Sequence, residues 1–214
     1  MENICYIVGA LKFERADMNI GPEDFTIAAD AGFMYFKKNN IKPDIIIGDF
    51  DSLGIVPNES NVIRHAAEKD DTDMMLAIKE GMKYAYKKFV IYGGLGGRLD
   101  HTLANIQSLC FISECGGIGY LINDDYSLAV IKNGTLFFDE SFSGTISVFC
   151  MGELATGVSL SGLKYPLEDA TMRKTSPIGV SNEFLKINSS IGVNNGELIV
   201  IWRTISALPK FKIN

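Results

Sequence analysis

A cationic excess, cysteine pairs and long apolar runs are all missing from these 214 residues. Twenty lysines and arginines stand against 26 aspartates and glutamates, a net charge of −6. No general attraction for nucleic acid or an anionic membrane surface is therefore expected, although an acidic chain can still hold a phosphate ligand through a metal ion. The four cysteines, Cys5, Cys110, Cys115 and Cys150, form no CxxC pair, so they read as reduced thiols in apolar settings and not as a zinc or disulfide framework. The N-terminus, MENICYIVGA, lacks the basic stretch and apolar core of a signal peptide. No apolar run approaches the roughly 20 residues that span a bilayer. A soluble protein in a reducing, cytoplasmic setting is the expectation. The two histidines, His65 and His101, share no metal-ligand spacing and read as structural or peripheral.

What is present is enough apolar residue for a proper core, 47% of the chain, and two halves with different patterning. From 1 to 124, short apolar runs (NICYIVG, FTIAA, PDIIIG, NVIRH, KFVIYG, GIGYLI) alternate with helical patterns (AGFMYFKKNN, DMMLAIKEGMKYAYKK, LDHTLANIQSLCFISECG). In the second helical pattern Met74, Ile78, Met82, Ala85 and Phe89 recur at three- and four-residue steps, a stripe suited to face a sheet. Strands alternating with helices predict an α/β domain with a mostly parallel sheet and helices on both faces. From 125 to 214 the helical patterns stop. YSLAVIKNG, TLFFDE, GTISVFCMG, GVSLSGL, IGVSNEF and ELIVIWR read as short strands separated by NG, SG, MG and NNG breaks, which predicts an all-β sandwich domain.

The charges of the first half fall where the strands end. Asp30 follows FTIAA, Asp49 and Asp51 follow the isoleucines of PDIIIG, and Asp70, Asp71 and Asp73 open a helix in KDDTDMML. Arg98 and Asp100 follow the four glycines of YGGLGGRLD. Each has a plain structural explanation: a single aspartate or threonine opening a helix is ordinarily an N-cap, and a loop DxD is often a solvated turn. Four carboxylate clusters on one sheet edge are a different matter. Like charges repel there, and a hard cation such as Mg²⁺ resolves the conflict, at the edge where open parallel sheets bind ligands. In extended backbone Asp49 and Asp51 would point the same way and face one ion. The glycine loop is not a P-loop, since no Lys-Ser/Thr comes after it. Nor is it the dinucleotide fingerprint, since Leu99 stands where the third glycine belongs. It still offers backbone N–H groups to phosphate, and Arg98 a guanidinium fork.

In their order and spacing AADAG, PDIIIGDFDSL, KDDTDMMLAI and GGLGGRLDHTLANI, with GLKYPLED and GVSNEF in the second half, resemble the thiamine pyrophosphokinases. The resemblance implies transfer of the pyrophosphoryl group of ATP to the hydroxyl of thiamine, giving thiamine diphosphate and AMP. It also implies a homodimer with an active site at the dimer interface. By the same resemblance Asp49, Asp51 and Asp73 are Mg²⁺-binding and catalytic carboxylates, with Asp73 and Asp51 the candidates for general base. Asp30, Thr72, Arg98 and Asp100 are nucleotide or pyrophosphate contacts, and Ser181 and Asn182 bind thiamine. Asp70 and Asp71 are left for ATP or helix capping. Two rival classes are a DxD-dependent nucleotide-sugar transferase, which leaves GLKYPLED and GVSNEF without a role, and a nucleotide-sensing module, which leaves the surplus carboxylates unexplained.

Overall fold

All six apolar runs of the first half are strands in the computed structural model, which describes residues 3–14, 18–50, 61–65 and 70–214. They are β1 (Ile4–Val8), β2 (Phe25–Ala29), β3 (Ile45–Gly48), β4 (Val62–Arg64), β5 (Lys88–Tyr92) and β6 (Ile118–Ile122), and they alternate with α1 (Phe33–Lys38), α2 (Asp73–Lys83) and α3 (Leu99–Glu114). β3 and β6 are buried along their whole length, as expected of strands covered on both sides. The strand order is β6-β5-β1-β2-β3-β4, and β1 pairs in parallel with both β2 and β5. From β1 the chain builds outward through β2, β3 and β4, then returns to lay β5 on the other side of β1. The direction of building therefore reverses between β1 and β5, and the carboxyl ends of these two strands flank a crevice.

α2 is shorter than its sequence pattern. Its buried side is Met74, Ala77, Ile78 and Gly81, at i, i+3, i+4 and i+7. The helix stops at Lys83 because Ala85 adopts a left-handed conformation (φ 66). The Ala85 N–H then donates to the Met82 carbonyl and the Tyr86 N–H to the Gly81 carbonyl, which is a Schellman closure. With alanine in the position that glycine usually fills, nothing in the sequence marks this stop. Ala85 is exposed, and Phe89 lies in the core as part of β5.

The second half forms nine strands where six were expected: β7 (Tyr126–Lys132), β8 (Gly134–Phe138), β9 (Thr145–Cys150), β10 (Leu154–Ser161), β11 (Leu167–Arg173), β12 (Gly179–Glu183), β13 (Ser189–Gly192), β14 (Glu197–Arg203) and β15 (Lys210–Ile213). They lie in two groups, β12-β9-β14-β7 and β11-β10-β13-β8-β15, with antiparallel pairing in each. Phe138 of β8 packs edge-on against Trp202 of β14, ring centroids 5.6 Å apart, and also touches Phe142 and Phe184. This aromatic cluster fills the space between the two groups. The three added strands carry weak patterns. β11 is mostly exposed, with three charged residues among its seven, β13 begins with two serines, and β15 alternates lysine with apolar residues at a sheet edge, where lysine discourages further pairing.

The described residues up to Ile112, with Gly119–Asp124, form one compact unit, and Ser113–Ile118 with Asp125–Asn214 form the other. All four cysteines are free thiols. No helix among the described residues is long and apolar enough to cross a membrane. Because Ala85 holds a left-handed conformation that costs a residue with a Cβ roughly 1 kcal/mol, Ala85→Gly is expected to raise unfolding stability by about 0.5–1 kcal/mol. Urea denaturation measures it, and a loss of stability would show that the closure of α2 carries no strain.

Candidate functional site

The ends of β1 and β5 approach each other more closely than side chains allow. The Gly9 N–H donates to the Tyr92 carbonyl at 2.8 Å and the Leu11 N–H to the Gly93 carbonyl at 3.0 Å, so the ladder continues past both strand ends. Gly93 is left-handed (φ 67), and a Cβ on Gly9 would lie 2.7 Å from the Gly93 carbonyl oxygen. On the other side, a Cβ on Gly32 would lie 1.8 Å from the Val8 carbonyl oxygen, so the single 3-10 turn Asp30–Gly32 sits directly on the end of β1. A cavity of about 350 Å³ opens at this point. Its floor is glycine backbone from Gly9, Gly93, Gly94 and Gly96, and its walls include Asp30, Thr72, Asp73, Arg98, His101 and Asn105.

Four of the residues singled out from the sequence thus meet on one cavity. Asp30 comes directly after β2 in a left-handed conformation (φ 49) and is the first residue of the 3-10 turn, not its N-cap; aspartate tolerates this backbone better than most residues. Thr72 is the N-cap of α2, accepting the Met75 N–H at 3.2 Å, and Asp73 comes next as the first helical residue. Asp71 neither caps α2 nor lines the cavity. It pairs with Lys79 at 2.6 Å. Arg98 forms a two-point contact with Asp100: its Nε donates to Oδ1 at 3.2 Å and its Nη2 to Oδ2 at 2.6 Å. The hydrogen bond with Arg98 holds the Asp100 carboxyl below the usual carboxylate range, and the same pairing raises the guanidinium further.

Asp49 comes directly after β3 and is not among the lining residues; Asp51 lies outside the described residues. The expectation that the two share a face assumed extended backbone. Phe50 is left-handed (φ 64), so strand geometry ends at Gly48 and alternation no longer sets the direction of the side chains beyond it. Among the described residues no three His, Cys, Asp or Glu side chains gather to hold a metal.

The residues that sequence reasoning passed over are on α3 and after β1. His101 lines the cavity, contrary to its reading as peripheral. Thr102 Oγ1 accepts the Gly96 N–H and donates to the Gly96 carbonyl, both at 3.1 Å. Asn105, only 8% exposed, donates from Nδ2 to the Gly94 carbonyl at 2.7 Å. Arg98, His101, Thr102 and Asn105 recur at helical spacing just after the glycines, which is the signal that could have found them.

In the second unit Ser181 and Asn182 lie on β12, where the pairing with β9 shifts register. Ser181 is exposed and left-handed (φ 58), and its N–H donates to Ser147 Oγ at 3.1 Å. Asn182 is buried and both polar atoms of its amide are hydrogen-bonded. Its Oδ1 accepts the N–H groups of Tyr165 and Glu183, each at 2.9 Å, and its Nδ2 donates to the Tyr165 carbonyl at 2.7 Å. Its side chain therefore fastens the GLKYPLED segment to β12, and it is Tyr165 that is left exposed.

These features define a two-unit α/β protein with a ligand cavity at the switch point of a parallel sheet. Comparison with known proteins narrows the class. The thiamin pyrophosphokinase catalytic-domain model matches residues 19–115 and the thiamin pyrophosphokinase vitamin B1 binding-domain model matches residues 135–200. Thiamin pyrophosphokinase 1 of Caenorhabditis elegans is 30% identical over 166 residues, covering 70% of this chain and 68% of that protein. The thiamine pyrophosphokinase of Bacillus subtilis is 28% identical over 215 residues, covering 95% of this chain and 100% of that protein. A crystal structure of thiamine pyrophosphokinase from Bacillus subtilis matches with a TM-score of 0.84 at 25% identity, over 95% of this chain and 100% of that one. The chain belongs to the thiamine pyrophosphokinase family.

The geometry makes two outcomes measurable. A carboxyl held low by its partner contributes to the folded state above its ordinary range, and the contribution is lost as pH falls through the lowered value. In an NMR pH titration Asp100 is expected to titrate below an ordinary aspartate and to move back up in Arg98→Gln; an unchanged titration would show that Arg98 is not its partner in solution. Asn182→Ala is expected to cost about 1–2 kcal/mol of unfolding stability, since it leaves the Tyr165 backbone groups without their partner. Wild-type stability in urea would mean that the fastening carries nothing.

Proposed function

We propose that this protein transfers the pyrophosphoryl group of ATP to thiamine, yielding thiamine diphosphate and AMP. Family membership supplies the reaction class, and the observation that carries the assignment here is the convergence of Asp30, Asp73 and Arg98 on a glycine-floored cavity at the sheet's switch point. The thiamine hydroxyl oxygen attacks the β-phosphorus of ATP, the bond from that phosphorus to the α,β-bridging oxygen breaks, and AMP leaves. Such transfer depends on alignment and on neutralising the phosphate oxygens more than on covalent help. Arg98 supplies donors to phosphate, with Asp100 holding the guanidinium in place; the Gly9 and Gly96 N–H groups are already engaged by Tyr92 and Thr102. The hydroxyl proton goes to a carboxylate, with Asp73 and Asp51 the candidates.

The donor set fits Mg²⁺. Asp73 and Asp30 present oxygen ligands at one cavity, and Mg²⁺ is characteristically held by one or two carboxylates together with substrate phosphates and water. That mode needs no cluster of three protein carboxylates, and Asp49 and Asp51 are the alternatives to Asp30 as the carboxylate beside Asp73. Bound there, Mg²⁺ would neutralise phosphate charge. Thiamine is assigned to the second unit, at Ser181 and the Tyr165 segment that Asn182 fastens. A homodimer is supported by exposed Ile178, Val180, Leu185 and Ile187 in and beside β12. Free thiols throughout support a cytoplasmic setting.

Incubation with ATP, Mg²⁺ and thiamine is expected to give AMP and thiamine diphosphate in equal amounts. Formation of ADP and thiamine monophosphate instead would overturn the pyrophosphoryl assignment. Asp73→Asn and Asp51→Asn are each expected to lower kcat by at least about a hundredfold with an unchanged thermal melt. Near-normal turnover in either variant would remove that carboxylate from the machinery.

A further inference from the structure

Asn105 carries more than the hydrogen bond it makes. It lies on α3 seven residues after Arg98, is 8% exposed, and lines the cavity. A terminal amide presents one donor group and one acceptor, and its orientation is set by its partners. The Gly94 carbonyl, 2.7 Å away, can only accept, so the NH₂ must face it. That leaves Oδ1 as the remaining polar atom, and it makes no hydrogen bond among the described residues. Oδ1 is not sealed in the core either, so on a residue that lines the cavity it is open to the ligand space. A nearly buried acceptor beside a ligand cavity favours a ligand that brings a donor.

The rest of the cavity restricts which part of the ligand that is. On the proposed reading the substrate is ATP, and this inference rests on that reading. Phosphate oxygens at neutral pH are acceptors, which Oδ1 would repel; they suit Arg98. The donors of ATP are the ribose hydroxyls and the exocyclic amine of adenine. We infer that Asn105 Oδ1 accepts a hydrogen bond from the nucleoside end of ATP, and that Asn105 is therefore a specificity-determining residue for the nucleotide. Its Nδ2 bond to Gly94 places the amide beside the loop that faces the phosphates.

The test is calorimetric binding with Mg²⁺ and without thiamine, using ATP, 2′-deoxy-ATP, 3′-deoxy-ATP and the purine riboside triphosphate that lacks the amine. The intact protein is expected to bind one of these analogues about tenfold more weakly than ATP, and which one identifies ribose or base as the source. Asn105→Ala should bind ATP about as weakly as that analogue and no longer tell the two apart. Asn105→Asp, which keeps an acceptor but loses the donor to Gly94, should still discriminate. If the intact protein binds all three analogues like ATP, or if the alanine variant keeps the discrimination, the inference is overturned. Loss of discrimination in the aspartate variant, with a normal melt, would also overturn it, leaving Asn105 as a brace for the loop. Failure of the intact protein to bind ATP at all is a different result, which removes the nucleotide reading and this inference together.

Discussion

The cavity depends on two backbones passing with nothing between them. Where β1 and β5 end, the Gly9 and Gly93 segments continue hydrogen bonding beyond the strands proper, at a distance that leaves no room for a Cβ on Gly9. The crevice at a switch point exists in any sheet of this order. Here the absence of side chains lets it extend down to peptide groups, so the floor consists of main-chain dipoles that do not move with rotamers. The 3-10 turn at Asp30 and the first turns of α3 then close on that floor from either side, each fastened to it by contact or hydrogen bond.

The sheet and the ligand edge were legible because they rest on strong local patterns. The isoleucines of β3 and the apolar runs of β1 and β5 read as buried strands, and the carboxylates directly after β2 and β3 are conspicuous for lack of any stabilising reason. The illegible parts have physical causes of two kinds. β11, β13 and β15 take their places through neighbours and not through their own apolar content, so a serine or lysine pattern hides them. The stop of α2 depends on an alanine accepting an unfavourable backbone conformation, and no residue type announces that. The misreading of His101 and the omission of Asn105 are of the second kind, because a polar residue within an amphipathic helix is assigned to solvent or core by default. Its contact with a loop eleven residues earlier belongs to the fold.

The two asparagines show how one residue type serves opposite purposes. Asn182 commits both its oxygen and its nitrogen to the backbone of Tyr165 and Glu183, and its value lies in that fastening. Asn105 uses only its donor. Both are buried, both were visible in the sequence only as members of longer motifs, and the difference between them is a matter of which lone pairs are already occupied.

Phe50 gives the segment after β3 a character that its carboxylates conceal. A large aromatic residue with a left-handed backbone is rare, yet this one is 2% exposed. Burial of the ring holds the peptide in a conformation it would not choose alone. The backbone next to Asp49 is therefore shaped by hydrophobic packing and not by strand alternation. The chain that carries an acidic group at the edge of the sheet is thus anchored in oil, so a change deep in the core could shift it without touching a single charge.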